Sequence, residues 1–432
     1  MGSRVFRASV VVIAMAFVSA ASGAPLPRAA APEEVGLSAQ RLQRLTEVFE
    51  ADVLSGVIPG AVVMIVRDGK VAYERAFGYR DRAAQAHMTR DAIFRIASMT
   101  KPITLVAALM LAEQGRLQIM DPASRYLPQL RSLQVGVERT SASGERSLAL
   151  EPMRREITVQ DLMRHTSGMT YGPVGDSLVQ RAYRTANLLD DQQTNAQMLD
   201  KLVALPLAFQ PGSTFEYGMS HDVIGRIVEV ISGVDLNRFV VERIAKPLGM
   251  TDTAFVLDAR QVQRLAQFQP AGQGGKPLII GYNPAKPQKW YSGGGGLLST
   301  AEDYVRFCQM LLNGGELDGV RLLSRKTVEW MTSDHLPPHI AYGAFTMELG
   351  LSAPLPQLGQ GYGLGVGVRR ERGRGVAPGS VGDYFWGGAT GPYFWVDPQE
   401  KLIAVMMLQE IDMAKRMRYR SLMRHLVYHA LE

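Results

Sequence analysis

Strand-forming runs stand at both ends of this chain and helix-forming runs fill the stretch between them, so if both ends contribute to one sheet it is closed by segments far apart in sequence. Near the start, "GAVVMIVRDGKVAYERAFGYRD" holds two apolar runs joined at Asp68-Gly69, a dipeptide suited to a tight hairpin turn. Near the end, "YGLGVGVRR", "SVGDYFWGG", "GPYFWVD" and "KLIAVMMLQ" are short strand candidates divided by turns, which predicts antiparallel pairing. From Ser98 to about Gln288 the pattern is largely helical, as in "SHDVIGRIVEVISG" and "LNRFVVERIAKPLGM". The expected class is α+β: an antiparallel sheet flanked by helices, with a mainly helical subdomain inserted. Residues 34–97 and 289–432 should build the sheet part and 98–288 the helical part of one catalytic domain spanning 34–432. No Pro-rich, Gly/Ser-rich or charged linker divides it. A helix capped by Ser38, with Leu42, Leu45, Phe49 and Val53 near one face, and a final helix from about Met413 to Leu431 can cover one face of the sheet. A cleft then falls between sheet and insertion, with Ser98 at their junction.

The first residues form a separate unit. Arg4 and Arg7 precede the apolar run "ASVVVIAMAFVSA", and small residues continue through Ala24, which predicts a signal peptide over residues 1–24 and a periplasmic or secreted mature chain. That run falls short of the roughly 20 residues that span a bilayer, so no stable membrane insertion is expected after cleavage. A formal charge of +6, from 47 basic and 41 acidic residues, gives no indication of nucleic-acid binding. Cys308 is the only cysteine, so no internal disulfide can form, and the chain, 46% hydrophobic, must be held by its core. Within "AEDYVRFCQMLLNGG" this cysteine reads as a buried, inert thiol on an amphipathic helix.

The stretch "FRIASMTKPIT" places Ser98 and Lys101 three residues apart where a helix begins, with "PITLVAALMLAEQG" continuing it. Positions i and i+3 share a helix face, so the two side chains can touch. Two readings are open. Ser98 is an N-cap beside a solvated lysine, or it is a serine nucleophile at a helix N-terminus, where free N–H groups favour developing negative charge.

Three further stretches bear on that choice: "PGSTFEYGMSHDVIG" with Tyr217, "LMRHTSGM" with His165, and "YFWGGATGPYFWVDP" with Trp386, Gly387, Gly388 and Ala389. Together with "SGGGGLLSTAEDYVRFCQMLLNGG" and "KPLGMTDT", they resemble the serine β-lactamase superfamily, above all family VIII carboxylesterases and their class C β-lactamase relatives, from about Glu34 onward. The resemblance implies a β-lactamase/transpeptidase-like fold. By position it makes Ser98 the nucleophile, Lys101 its partner in proton abstraction, and Tyr217 the tyrosine that works with the lysine and helps protonate the leaving group. It sets Trp386, Gly387 and Gly388 along the substrate-binding edge strand, and the Ser98 and Ala389 N–H groups in the oxyanion hole. It gives His165 no proton-transfer role; a structural place beneath the cleft is expected.

Two departures shape the expected function. Tyr217-Gly218-Met219 lacks the amide of the β-lactamase Tyr-x-Asn, and Trp386 replaces the lysine that would pair with a penicillin carboxylate. Ester cleavage through an acyl-enzyme on Ser98 is therefore the first reading, with a small-molecule ester or amide as substrate. A β-lactamase, D-amino acid peptidase or transacylase is the alternative within the superfamily, and a catalytically silent binding protein is the alternative outside it. No cofactor or metal is expected: His425 and His429 stand four apart without an acidic or third ligand. Gly293 to Gly296 lacks the ending of a phosphate loop and reads as a tight approach to the cleft, followed by a helix capped at Ser299 or Thr300. The basic "KRMRYR" from Lys415 reads as a solvated helix face. Of the aromatic group Trp290, Tyr291, Phe385, Trp386, Phe394 and Trp395, about half should face the core.

Overall fold

The computed structural model describes residues 23–172, 175–268, 286 and 288–432, so the expected signal peptide lies almost wholly outside the described residues. The two strand-bearing ends do meet. Strands β1 (Gly60–Arg67), β2 (Lys70–Asp81) and β3 (Ala86–His87) join β4 (Gln360–Tyr362), β5 (Gly367–Arg369), β6 (Tyr384–Gly387), β7 (Tyr393–Asp397) and β8 (Leu402–Leu408) in one sheet, ordered β4-β5-β6-β7-β8-β1-β2-β3. All its pairings are antiparallel, and the seam between the chain ends runs from Ala61 opposite Leu408 to Arg67 opposite Leu402.

Both strands of the seam are continuous apolar runs because both faces of the sheet are covered. Val62, Met64, Val66, Ile403, Val405 and Met407 enter one layer. Their neighbours Ala61, Val63, Ile65, Leu402, Ala404 and Met406 enter the other. Each large apolar side chain so buried contributes about 1.5–3 kcal/mol.

Five helices frame the site: α1 (Ala39–Leu54), α2 (Thr100–Glu113), α3 (Ser220–Ser232), α4 (Ala301–Leu312) and α5 (Met413–His429). The Ser38 hydroxyl accepts from the Arg41 N–H at 3.4 Å, and Leu42, Leu45, Phe49 and Val53 pack with α5 in the second layer. In the first layer α2 is buried from Thr100 to Leu111, and α4, capped by Thr300, buries Cys308, whose thiol pKa burial pushes well up. No helix among the described residues is long and apolar enough to cross a membrane.

The structure departs from the sequence expectation in two places. The inserted segment also carries a hairpin, Gln134–Thr140 paired with Arg146–Pro152. Val135 is its one fully buried residue, so little apolar alternation marked it. The basic stretch from Lys415 is solvated only in part: Arg418 is exposed but Arg416 is buried, as is Arg424 two turns on, which makes two hydrogen bonds to Asp383, at 2.8 and 3.1 Å. Residues four apart repeat one helix face, and that face lies on the sheet.

Candidate active site

The nucleophile candidate is set by backbone strain. Phe94–Arg95 pairs with Leu298–Ser299, and the chain then turns through Ala97 at φ 45°, a left-handed conformation costly for a residue with a Cβ. Ser98 occupies the middle of the single 3-10 turn Ala97–Met99, ahead of α2 rather than within it. The N-cap position of α2 is Met99, so capping does not account for Ser98.

Lys101 is fully buried in the first turn of α2, which removes the solvated-lysine reading. Its Nζ donates to the Gly294 carbonyl at 2.6 Å and reaches the Ser98 Oγ at 3.4 Å. It also lies 4.5 Å from the ring centroid of Tyr217 and 5.8 Å from that of Tyr171. The Thr104 hydroxyl, one turn on, donates to the Gly293 carbonyl at 2.8 Å. The glycine run thus approaches α2 through its carbonyls. A Cβ on Gly294 would fall 2.5 Å from the Asp222 Oδ2 and 3.1 Å from the Tyr171 hydroxyl, so the approach needs glycine. Asp222 in turn accepts from the Ser292 hydroxyl at 2.5 Å and the Gly294 N–H at 3.2 Å. Burial pushes its pKa up, against the Ser292 hydrogen bond and the Lys101 charge.

Tyr217 is delivered by the turn before α3. Its N–H donates to the Thr346 hydroxyl at 2.8 Å, while buried Glu216 accepts from Thr170 Oγ1 at 2.7 Å and from the Phe345 and Thr346 N–H groups at 3.3 and 3.2 Å. This web pins the backbone of Tyr217 from two separate segments. His165 lies beneath it, ring centroids 4.6 Å from Tyr217 and 4.2 Å from His221. Burial first, then the His221 and Lys101 charges, hold its pKa well below the usual imidazole range, so it sits there neutral. Met219 is in the main core.

The third stretch splits between the two faces of the sheet. Trp386 turns toward the site, 5.6 Å from Tyr217 and 5.2 Å from Tyr362 between ring centroids, whereas Phe385, Tyr393 and Trp395 join the opposite layer. Gly388 lies against the nucleophile turn: a Cβ there would fall 2.6 Å from the Ile96 carbonyl and 3.3 Å from the Ala97 Cβ. Gly387 faces away, and a Cβ there would fall 2.4 Å from the Cζ of Arg420. Glycine is thus needed at 387 to seat an arginine, and at 388 to let the strand end approach Ser98. The turn is tied to the nucleophile segment by Thr390 Oγ1, which donates to the Arg95 carbonyl at 2.7 Å, with Gln409 Nε2 donating to the same oxygen at 3.2 Å. Among the described residues the Ala389 N–H has no hydrogen-bond acceptor.

The structure therefore brings Ser98, Lys101, Tyr217, Trp386, Gly388 and Ala389 to one place, and no group of metal ligands occurs among the described residues. Sequence reading did not pick out Tyr171, Thr104, Asp222 or Arg420. None belongs to a spaced motif, and each is recruited by a partner remote in the chain.

Known proteins resemble this chain in family profile, sequence and fold. The Beta-lactamase family profile matches residues 41–427. Protein Rv1367c of Mycobacterium tuberculosis is 36% identical over 360 residues, covering 82% of this chain and 86% of that protein. Esterase EstB of Burkholderia gladioli is 29% identical over 374 residues, covering 82% and 86%. Among solved structures, EstCE1, described as a hydrolase with promiscuous acyltransferase activity, superposes with a TM-score of 0.71 at 26% identity, covering 90% of this chain and 99% of that one. With a family match over residues 41–427 and a β-lactamase/transpeptidase-like fold shared with esterase-type relatives, the chain belongs to the beta-lactamase family and is a serine hydrolase.

Proposed function

We propose that this protein is an exported carboxylesterase that cleaves small-molecule esters through an acyl-enzyme on Ser98. The observation that carries the reading is the buried Lys101 Nζ, held at 2.6 Å by the Gly294 carbonyl and at 3.4 Å from the Ser98 Oγ, with Tyr217 alongside. A serine hydroxyl needs such a neighbour to become a nucleophile. The Ser98 Oγ bonds to the acyl carbon as its proton passes into the Lys101–Tyr217 pair. The ester C–O bond then breaks, and the alkoxide leaves with a proton from the same pair. Water repeats the sequence on the acyl-enzyme, releasing the carboxylic acid and restoring the Ser98 hydroxyl. The Ser98 and Ala389 N–H groups are the donors for the oxyanion in both halves, each worth roughly 2.7–4 kcal/mol in such a site. The N-terminal apolar run, preceded by Arg4 and Arg7, supports export.

Esters are favoured over penicillins because Trp386 places an indole, its buried Nε1 unpartnered, where a β-lactam-cleaving relative would hold a cation. Losing a charge-assisted hydrogen bond costs about 1.5–3 kcal/mol, roughly ten- to a hundredfold. Fluorophosphonate should label Ser98, and kcat/KM for p-nitrophenyl butyrate should exceed that for benzylpenicillin by about a hundredfold or more. An adduct confined to another serine, or preferential penicillin hydrolysis, would overturn this reading. Lys101→Met should lower ester turnover by about 10³-fold or more, measured on folded protein.

A further inference from the structure

The three arginines on the inward face of α5 are held in different ways. Arg424 is clamped by Asp383, which also accepts from the Arg369 Nε at 2.8 Å. Arg416 is buried in the field of Glu410 and Asp412. Arg420 has no ion pair among the described residues. Its Nη2 donates to the Gly388 carbonyl at 2.9 Å and its Nη1 to the Ser352 hydroxyl at 3.4 Å, while its Nε is sealed from solvent without an acceptor. Burial, then the neighbouring Arg416 charge, lowers its pKa to about 10, which leaves it charged at neutral pH. A cation kept beneath a strand without a counter-ion is costly, so what it touches matters.

Besides the Ser352 hydroxyl and the Tyr393 ring, whose centroid lies 5.5 Å from its Cζ, it touches one amide. The Gly388 carbonyl and the Ala389 N–H are the two ends of a single peptide unit, and a peptide is planar, so fixing one end fixes the other. A charge-assisted hydrogen bond on the carbonyl also draws electron density through the amide and strengthens its N–H as a donor. The Gly391 N–H shares the same carbonyl at 3.2 Å, but it is a neutral donor from the turn itself. We propose that Arg420 is a positioning residue for the oxyanion hole: from the far face of the sheet it orients and polarises the Gly388–Ala389 peptide, so that the Ala389 N–H meets an oxyanion formed at Ser98. Gly387 is glycine for this purpose, since a Cβ there would occupy the guanidinium's seat. The inference rests on the acyl-enzyme reading above.

The test compares the wild type with Arg420→Met and Arg420→Lys in the full chain, each first checked by thermal melting. Wild-type protein must form a Ser98 phosphonyl adduct; its failure to do so would sink the hydrolase reading itself, before any variant is made. For folded Arg420→Met, kcat on p-nitrophenyl butyrate should fall about ten- to thirtyfold, less than the loss of a whole oxyanion donor, with KM within about twofold. The ³¹P resonance of the Ser98 phosphonyl adduct should move, because its oxygen lies against the Ala389 N–H. Arg420→Lys, which keeps a charged donor, should recover part of kcat and bring the resonance back toward its wild-type position. A folded Arg420→Met with wild-type kcat and an unmoved resonance overturns the proposal. If Arg420→Met does not fold, Arg420→Lys decides: a moved resonance with reduced kcat supports the proposal, and wild-type values for both overturn it.

Discussion

Two glycine segments pack against the Ser98 turn and the helix that follows it, and they present opposite ends of their peptides. The Gly293–Gly294 side offers carbonyls, taken up by Thr104 and Lys101. The Gly388–Ala389 side gives its carbonyl to Arg420 and leaves the Ala389 N–H without an acceptor among the described residues. Glycine serves close approach in both, since a Cβ would fall within 2.6 Å of a neighbouring oxygen at Gly293, Gly294 and Gly388 alike. What differs is peptide polarity. An acceptor surface can hold a lysine in place beside the serine, and a donor surface can receive negative charge, so under the proposed acyl-enzyme reading the two segments divide base and oxyanion work.

The largest effect should come from breaking the donor side. In Gly388→Val the new side chain meets the Ile96 carbonyl and Ala97, so the turn must retreat from Ser98. Loss of one oxyanion donor predicts about a 10²–10³-fold drop in kcat, read by steady-state ester hydrolysis. Melting should be affected far less, because the turn lies at a strand end.

On the acceptor side, Thr104→Val leaves the buried Gly293 carbonyl without its side-chain donor. A lost partner of this kind costs about 1–3 kcal/mol of stability, measurable by urea unfolding, while kcat should stay within about threefold. A large loss of kcat without a loss of stability would contradict the division drawn between the two segments.

The third expected effect is a pH dependence on that same side. His221, whose carbonyl packs against Gly293, has its pKa depressed to about 3 by burial and then the Lys101 charge, against a hydrogen bond to the Met163 carbonyl. The unfolded chain therefore takes up this proton first, near pH 6.5, and the folded chain takes it up only far lower. Stability from a neutral His221 is complete above about pH 6.5 and is lost as pH falls toward 3, by about 1.4 kcal/mol per pH unit. Asp303, raised to about 7 by burial, acts in the opposite sense and loses its contribution as pH climbs from the ordinary carboxylate range to 7. Whole-protein slopes are thus partly cancelled, so the informative quantity is the difference between wild type and His221→Gln. Between pH 4 and 6 the variant's stability should rise with pH less steeply, by close to one proton. Parallel curves would mean that His221 is not held neutral.

Local patterns were enough for the pieces that depend on neighbours in the chain. The Asp68-Gly69 hairpin, the Ser38-capped helix and the approach of Ser98 to Lys101 follow from turn chemistry, capping and helical spacing, which act over a few residues. The family resemblance added Tyr217 and Ala389, which spacing alone could not connect to Ser98. It also set Gly387 on the substrate strand, where the glycine proves to be required by Arg420 on the other face.

The Gln134–Pro152 hairpin escaped notice because its side chains are mostly outside the core and carry little alternation. Arg420 escaped for a different reason. Basic residues crowd α5 at nearly every turn, so periodicity marks no inward face. Only the sheet beneath, with a gap above Gly387 and a carboxylate at Asp383, selects which arginines are buried. The sequence by itself determined most of the elements, the place of Ser98 before a helix, and the glycines that tolerate close approach. The tertiary structure alone decided which way each peptide points, because peptide orientation is set by the partners on either side, and those partners come from segments that meet only when the two ends of the chain close the sheet.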